Sequence, residues 1–261
     1  MTKRSIGRVQ SLWRYPIKSL RGEQLSEAEI TDHGVKGDRV MALRELDRGG
    51  IMSARFWAAM LDLQSRSETA AAGTASAIHI DFPDGRSLRA DDPSLPAILS
   101  AMFGRPVRLE KVRRERMTDD ELAAVMHGDT IPPARDFFDE DVLHLVASGT
   151  LAHLRTLRPE SDFDPCRFRA NIYIDTGDEA DGFVEDRWLG GTLEIGESVR
   201  ITGLSPSIRC AITTHPQPGL PHDPAVLRTA WDHHRAYVGV FASVAAPGPI
   251  RIGDPVTLAT E

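Results

Sequence analysis

The chain has 261 residues, 41% hydrophobic and 26% charged, with a formal net charge of −7 and a pI near 5.7. This is an ordinary globular composition, which excludes a collagen, a coiled coil or a wholly disordered chain, and its length suits one large or two small domains. The acidic balance argues against nucleic-acid and anionic-membrane partners, and no run of about 18 apolar residues offers a transmembrane helix.

The first third reads as short strands. Val9 to Tyr15 alternates with period two and stops at Pro16; Leu25 to Ile30 and Val40 to Leu46 follow, the latter closed by the Asp47-Arg48-Gly49-Gly50 turn. Ile78 to Phe82, Pro83-Asp84-Gly85 and Arg86 to Arg89 form a hairpin pattern. A helix is expected after Asp92 and Pro93, ending at Gly104 and Pro106, with Val107 to Val112 as the next strand. Arg105 to Arg116 carries six basic residues, whereas Asp119 to Asp141 carries eight acids around Pro132-Pro133. This reversal places a domain boundary near residue 115, giving domains 1–115 and 116–261.

In the second half, Val142 to Val146 is a buried-strand candidate, and Ser148-Gly149-Thr150 opens a helix with Leu151, Leu154 and Leu157 on one face. Ile172 with Ile174, Thr192 to Ile195, Val199 to Ile201 and Ala211 to Thr213 read as strands. Asp223-Pro224 starts a helix to about Trp231; strands Tyr237 to Val244 and Pro255 to Leu258 close the chain, with turns at Pro247-Gly248 and Gly253-Asp254. Many short strands, few helices and no βαβ rhythm predict a predominantly β, α+β fold built on barrels.

Several familiar sites are absent: there is no P-loop, dinucleotide glycine fingerprint, His-Glu-x-x-His, Cys-x-x-Cys or nucleophile elbow. His215, His222, His233 and His234 do not make a metal set, because adjacent histidines on an extended segment point to opposite faces. Two cysteines, Cys166 and Cys210, fit a reducing, cytoplasmic compartment better than a disulfide scaffold, and the first residues lack an apolar signal core. Arg209 beside Cys210 favours the thiolate, the form that attacks electrophiles and binds soft metals; the competing reading is a small buried hydrophobe. Cys166 also has arginine neighbours and is read as structural.

Four segments, in order, carry a resemblance: Tyr15-Pro16-Ile17-Lys18-Ser19 with Gly37-Asp38-Arg39, then Phe168-Arg169-Ala170-Asn171-Ile172-Tyr173-Ile174, then Ser207-Ile208-Arg209-Cys210-Ala211-Ile212-Thr213-Thr214, and Pro247 to Val256. Together they resemble the MOSC family with its N-terminal β-barrel domain, in the group of the amidoxime-reducing components and their bacterial relatives. The resemblance implies an N-terminal β-barrel-like domain and a MOSC β-barrel with flanking helices. It implies a molybdenum cofactor (Mo-molybdopterin) between the halves, with Cys210 as the metal ligand and catalytic residue. Lys18, Ser19, Arg39, Ser148, Thr150, Arg169, Asn171, Ser207 and Arg209 would bind the cofactor, Ser148 and Thr150 by the free N–H groups of a helix start. Two departures stand out. Ala170 replaces a frequent proline, and the loop His215 to His222 lacks the acid common after the paired threonines.

The implied function is reduction of N-oxygenated compounds such as amidoximes, hydroxylamines or N-oxides. The alternative is a non-catalytic cofactor carrier, or a sulfur carrier using Cys210. No iron–sulfur, flavin or nicotinamide site is readable, so a separate ferredoxin-like or flavodoxin-like protein with its reductase would supply electrons, docking at the Arg105 to Arg116 run.

Overall fold

The computed structural model describes residues 2–68, 77–111, 143–177 and 182–260. The boundary near residue 115, the acidic stretch and Arg113, Arg114 and Arg116 lie outside the described residues. In chain order the strands are β1 (Thr2–Arg14), β2 (Glu23–Leu25), β3 (Glu27–Thr31), β4 (Gly34–Val35), β5 (Met41–Glu45), β6 (Gln64–Ser67), β7 (Ile78–Asp81), β8 (Ser87–Arg89), β9 (Val107–Lys111), β10 (Leu143–Ala147), β11 (Ile172–Asp175), β12 (Thr192–Ile195), β13 (Val199–Ile208), β14 (Tyr237–Ala246), β15 (Gly248–Arg251) and β16 (Pro255–Thr260). The helices are α1 (Leu95–Phe103), α2 (Ser148–Leu157), α3 (Pro165–Phe168) and α4 (Pro224–His234). Strand accounts for 43% of the structure, so the fold is predominantly β as the sequence predicts.

Two compact units are present, and they are not contiguous in sequence. The first comprises Met1–Arg14, Gln24–Lys36 and Glu140–Glu261, and the second Tyr15–Glu23 and Gly37–Asp139. The first contains a closed seven-stranded barrel. Its order is β11-β10-β14-β13-β12-β16-β1, and pairing of β1 with β11 closes it. β10 and β11 pair parallel, and the other barrel contacts are antiparallel. Alternation does the rest: Val9, Leu12, Leu145, Ile172, Ile174, Leu193, Ile201 and Val240 fall in one buried cluster. The opposite faces of β10 and β11 place Val146 and Tyr173 in a second cluster, with Leu151 and Leu154 of α2 and Val226 and Ala230 of α4. Each fully buried Leu, Ile or Phe contributes roughly 1.5–3 kcal/mol, so helices and barrel are held by the two faces of the same strands.

Two glycines allow close approach. At Gly7, φ is +153° and a Cβ would lie 2.0 Å from the Asp175 carbonyl oxygen, where the β1 register shifts. At Gly239, φ is +82° and a Cβ would meet the Leu145 carbonyl at 2.4 Å and His144 Nε2 at 2.8 Å. Only glycine fits either place.

The second unit has an antiparallel β5–β9 pair and a β6-β7-β8 sheet. Helix α1 buries Leu95, Leu99 and Phe103 and ends on Gly104 in the left-handed region. Of the basic run, Arg105 pairs with Glu45 at 2.6 Å and lies 3.8 Å over the Trp57 ring, and Arg108 pairs with Glu110 at 3.3 Å.

Three local expectations are corrected. Ala211 to Thr213 is not a strand: Ala211–Thr214 is a 3-10 helix, because Thr213 and Thr214 turn their hydroxyls back onto the carbonyls of Cys210 (3.0 Å) and Ala211 (2.8 Å). Gly248 is not a turn but starts β15; Pro249 is tolerated because β15 is an edge strand. The strand beginning at Val199 runs on to Ile208, which carries it to the segment of interest.

Candidate functional site

β13 delivers Ser207, Arg209 and Cys210 in succession. Ser207 is fully buried. The Arg209 main-chain N–H donates to the Ala236 carbonyl at 2.7 Å, which anchors the end of the strand. Its guanidinium is fixed on three sides: Nη2 donates to the Phe168 carbonyl at 2.5 Å, and Nη1 to Ser207 Oγ at 2.8 Å and His144 Nε2 at 3.2 Å. His144 Nε2 thus lies between the guanidinium at 3.2 Å and the Val238 carbonyl at 3.4 Å. A permanent positive charge is thus held one residue from Cys210.

Cys210 is a free, half-buried thiol at the N-cap of the 3-10 helix, in extended backbone geometry (φ −135°). Its carbonyl receives the Thr213 N–H at 3.1 Å, so the cysteine belongs to a hydrogen-bonded turn rather than a slack loop. Cys166 differs in kind. Burial, then the charge and hydrogen bonding of Asp164, push its thiol up to about 12, which keeps it protonated and inert.

Arg169 ends α3 in the left-handed region (φ 57°, ψ 38°) and is 7% exposed. The turn before it is built by Asp164, whose carboxylate caps the Cys166 N–H at 2.7 Å, and by Tyr173, whose hydroxyl donates to the Pro165 carbonyl and accepts from the Ala170 N–H at 3.1 Å. Ala170 therefore supplies a donor that proline lacks. Asn171 is fully buried and bound to the frame: Oδ1 accepts the His144 N–H and Nδ2 donates to the Trp13 carbonyl, each at 3.3 Å. It ties β10 to β1 beneath the Arg169 turn.

The sequence reading missed Arg167. It is fully buried, and its four hydrogen bonds go to main-chain carbonyls: Asp162 (2.8 Å), Thr213 (3.2 Å), His215 (3.4 Å) and Pro221 (2.8 Å). It clamps both ends of the loop that follows Cys210. Within that loop Gln217 and Leu220 exchange main-chain hydrogen bonds, and the Gln217 Nε2 is buried without a partner.

Ser148 and Thr150 are placed elsewhere. His144 lies near the start of β10 and Ser148 follows its end; at about 3.3 Å per residue these are roughly 13 Å apart. Ser148 Oγ accepts the Thr176 N–H at 3.0 Å, and Thr176 Oγ1 takes the Gly149 N–H at 3.1 Å. Thr150 is fully buried, and its hydroxyl donates to Glu185, whose other oxygen accepts the Ala147 N–H at 2.7 Å. The carboxyl group at the start of α2 is thus the chain's own. Burial pushes the Glu185 carboxyl above its usual range, although the Thr150 and Ala147 bonds oppose this.

In the second unit, the Lys18–Ser19 and Gly37–Arg39 segments do come together. Tyr15 N–H donates to Asp38 Oδ1 at 2.7 Å, Arg39 N–H to the Tyr15 carbonyl at 2.7 Å, and Lys18 N–H to the Met41 carbonyl at 2.8 Å. Arg39 pairs with Asp38 and lies 5.2 Å over the Tyr15 ring. Ser19 and Arg39 both have positive φ, at 67° and 48°.

The donor set around Cys210 fits a molybdenum–pterin group. A thiolate is a soft ligand, Arg169 and Arg209 are cations suited to an anionic pterin, and the orphaned Gln217 amide is an uncommitted donor in the adjoining loop. Among the described residues no group of three or more His, Cys, Asp or Glu is arranged to hold a bare metal ion.

The seven-stranded barrel and the Arg209–Cys210 segment at the end of β13 agree with the family to which the chain is similar. The MOSC domain matches residues 132–257 and the MOSC N-terminal beta barrel domain matches residues 6–103, so the chain belongs to the MOSC family. It is 25% identical, over 97% of its length and 83% of the other, to human mitochondrial amidoxime-reducing component 1. In structure it resembles the YuaD protein from Bacillus subtilis, with a TM-score of 0.53 at 10% identity, covering 100% of this chain and 99% of that one.

Proposed function

We propose that this protein is a molybdenum-cofactor-dependent reductase of N-oxygenated compounds, with Cys210 as the protein ligand to the metal. The observation that carries the reading is the fixed Arg209 guanidinium beside a turn-anchored free thiol. When bound, the cofactor supplies two-electron chemistry that no amino-acid side chain provides. The protein's own part is positioning and charge. Cys210 presents its sulfur from a hydrogen-bonded turn, Arg209 and Arg169 offset negative charge, and Arg167 sets the path of the loop from His215 to Pro221. Ser207 and Asn171 act one step back, by holding Arg209 and the Arg169 turn. Lys18, Ser19 and Arg39 belong to the other unit, and their part in the proposal is tested by cofactor content alone. The hydroxyls of Ser148 and Thr150 are committed to Thr176 and Glu185, so their part in the proposal falls to the main-chain N–H groups at the start of α2.

Electrons come, in this proposal, from a separate ferredoxin-like or flavodoxin-like protein with its reductase. The test is metal and pterin analysis of protein from a cofactor-producing host, with dithionite-driven turnover of an amidoxime. Stoichiometric molybdenum with turnover supports the reductase. Molybdenum without turnover supports the carrier, and absence of both metal and pterin removes the cofactor reading.

A further inference from the structure

We propose that the groove walled by α4 beside Cys210 receives the neutral aromatic body of the substrate, with Trp231 as its stacking wall. This rests on the reductase reading above. The groove holds about 660 Å³ and is lined by Ala211 and Thr214, the two ends of the 3-10 helix that Cys210 caps, and by Leu227, Arg228 and Trp231 of α4, with Arg158 across from them. That volume lies within the range of small-molecule sites and is too small for a folded partner.

Trp231 is 61% exposed, whereas α4 is already held by buried Val226, Thr229 and Ala230. The indole is therefore not used to pack the helix. Leu227 and Trp231 are four residues apart and share one helix face, giving a continuous apolar strip. The charges around the strip are balanced locally. Arg158 Nη1 is 3.0 Å from Glu160, and Arg228 Nε is 2.7 Å from Asp232. A groove with an aromatic wall and self-neutralised rim selects against a net anion or cation and favours a flat neutral ring. Its lining starts at Ala211, one residue after Cys210, so a ring seated there lies against the 3-10 helix that Cys210 caps.

The test compares benzamidoxime, which carries a ring, with hydroxylamine, which does not. In the dithionite-driven holoenzyme, Trp231→Ala lowers the kcat/KM ratio of benzamidoxime to hydroxylamine about tenfold, the effect of losing one aromatic contact with its apolar area. Trp231→Phe restores most of that ratio. Without reductant, benzamidoxime quenches the tryptophan fluorescence of the wild-type holoenzyme saturably, and Trp231→Phe abolishes the quench. An unchanged ratio in Trp231→Ala, together with a quench that survives Trp231→Phe, overturns the groove assignment while wild-type turnover leaves the reductase reading intact. A Trp231-dependent quench in a holoenzyme that reduces neither compound supports the groove as an aromatic site and overturns the reductase reading instead.

Discussion

Replacing Arg167 by methionine isolates the buried clamp. Methionine keeps an unbranched stem of similar reach and removes every donor. The carbonyls of Asp162, Thr213 and Pro221, now bonded at 2.8 to 3.2 Å, lose a charged partner, and the weaker His215 contact at 3.4 Å goes with them. A hydrogen bond to a charged group contributes roughly 1.5–3 kcal/mol. The desolvation of a fully buried guanidinium, several kcal/mol, offsets part of that sum. A net loss of about 3 kcal/mol follows, or about 6–12 °C in Tm at 2–4 °C per kcal/mol. Scanning calorimetry reads the shift, and hydrogen exchange places it: protection falls in peptides covering residues 211–223 and much less in the β12–β16 side of the barrel. Arg167→Lys recovers less than half, because a compact ammonium cannot reach carbonyls as far apart in sequence as Asp162 and Pro221. A methionine variant that melts within 2 °C of wild type, with unchanged exchange in that loop, refutes the clamp.

Cys210→Ser abolishes cofactor-dependent turnover while the melting temperature stays within a few degrees, and Cys166→Ser retains activity; iodoacetamide at pH 8, followed by mass spectrometry, alkylates Cys210 far faster, since a thiol near 12 is about 0.01% ionised there. Glu185 has a folded pKa raised by burial, so the stability it confers is full below its unfolded pKa, near 4.5, and declines as pH rises through the folded value. Melting curves from pH 4 to pH 8 therefore fall less steeply for Glu185→Gln than for wild type; identical slopes dismiss the burial argument. Tyr173→Phe removes the partners of the Ala170 N–H and the Pro165 carbonyl and costs about 1–3 kcal/mol in urea unfolding.

Periodicity made the barrel legible, because most of its strands bury alternate side chains and carry that alternation in their residues. β6 escaped notice because Gln64-Ser65-Arg66-Ser67 has no apolar alternation; it is a strand because β7 pairs with it. The 3-10 helix after Cys210 looked like a strand from its Ile and Thr content, and only the hydroxyl-to-carbonyl bonds reverse that preference. The candidate site is legible where recognition rests on residue identity, at Arg209 and Cys210. It is not legible where role depends on burial. Arg167 sits between Cys166 and Phe168 with no sequence sign that it is interior, and Glu185 is one acid among several. A helix start such as that at Ser148 offers free N–H groups, but sequence cannot say that an acid 37 positions on from Ser148 takes the Ala147 N–H and the Thr150 hydroxyl beside it.

Positive-φ residues recur around the same candidate site. Among the described residues, five non-glycine positions have positive φ: Ser19, Arg39, Arg169, Arg235 and Ala236. A left-handed conformation costs an L-residue roughly 1–2 kcal/mol, which glycine would avoid. The chain uses glycine freely at other left-handed turns, such as Gly104 and Gly253, so its absence at these five places reflects a demand on the side chain or on the local path. In the barrel unit the strained residues bracket one group. Phe168, just before Arg169, gives its carbonyl to the Arg209 guanidinium, and Ala236 gives its carbonyl to the Arg209 main-chain N–H. The two bends thus fix the head and the backbone of the same arginine. Packing alone does not ask for this, since the barrel closes through β1 and β11 without it. What the bends secure is the orientation of a charge one residue from Cys210.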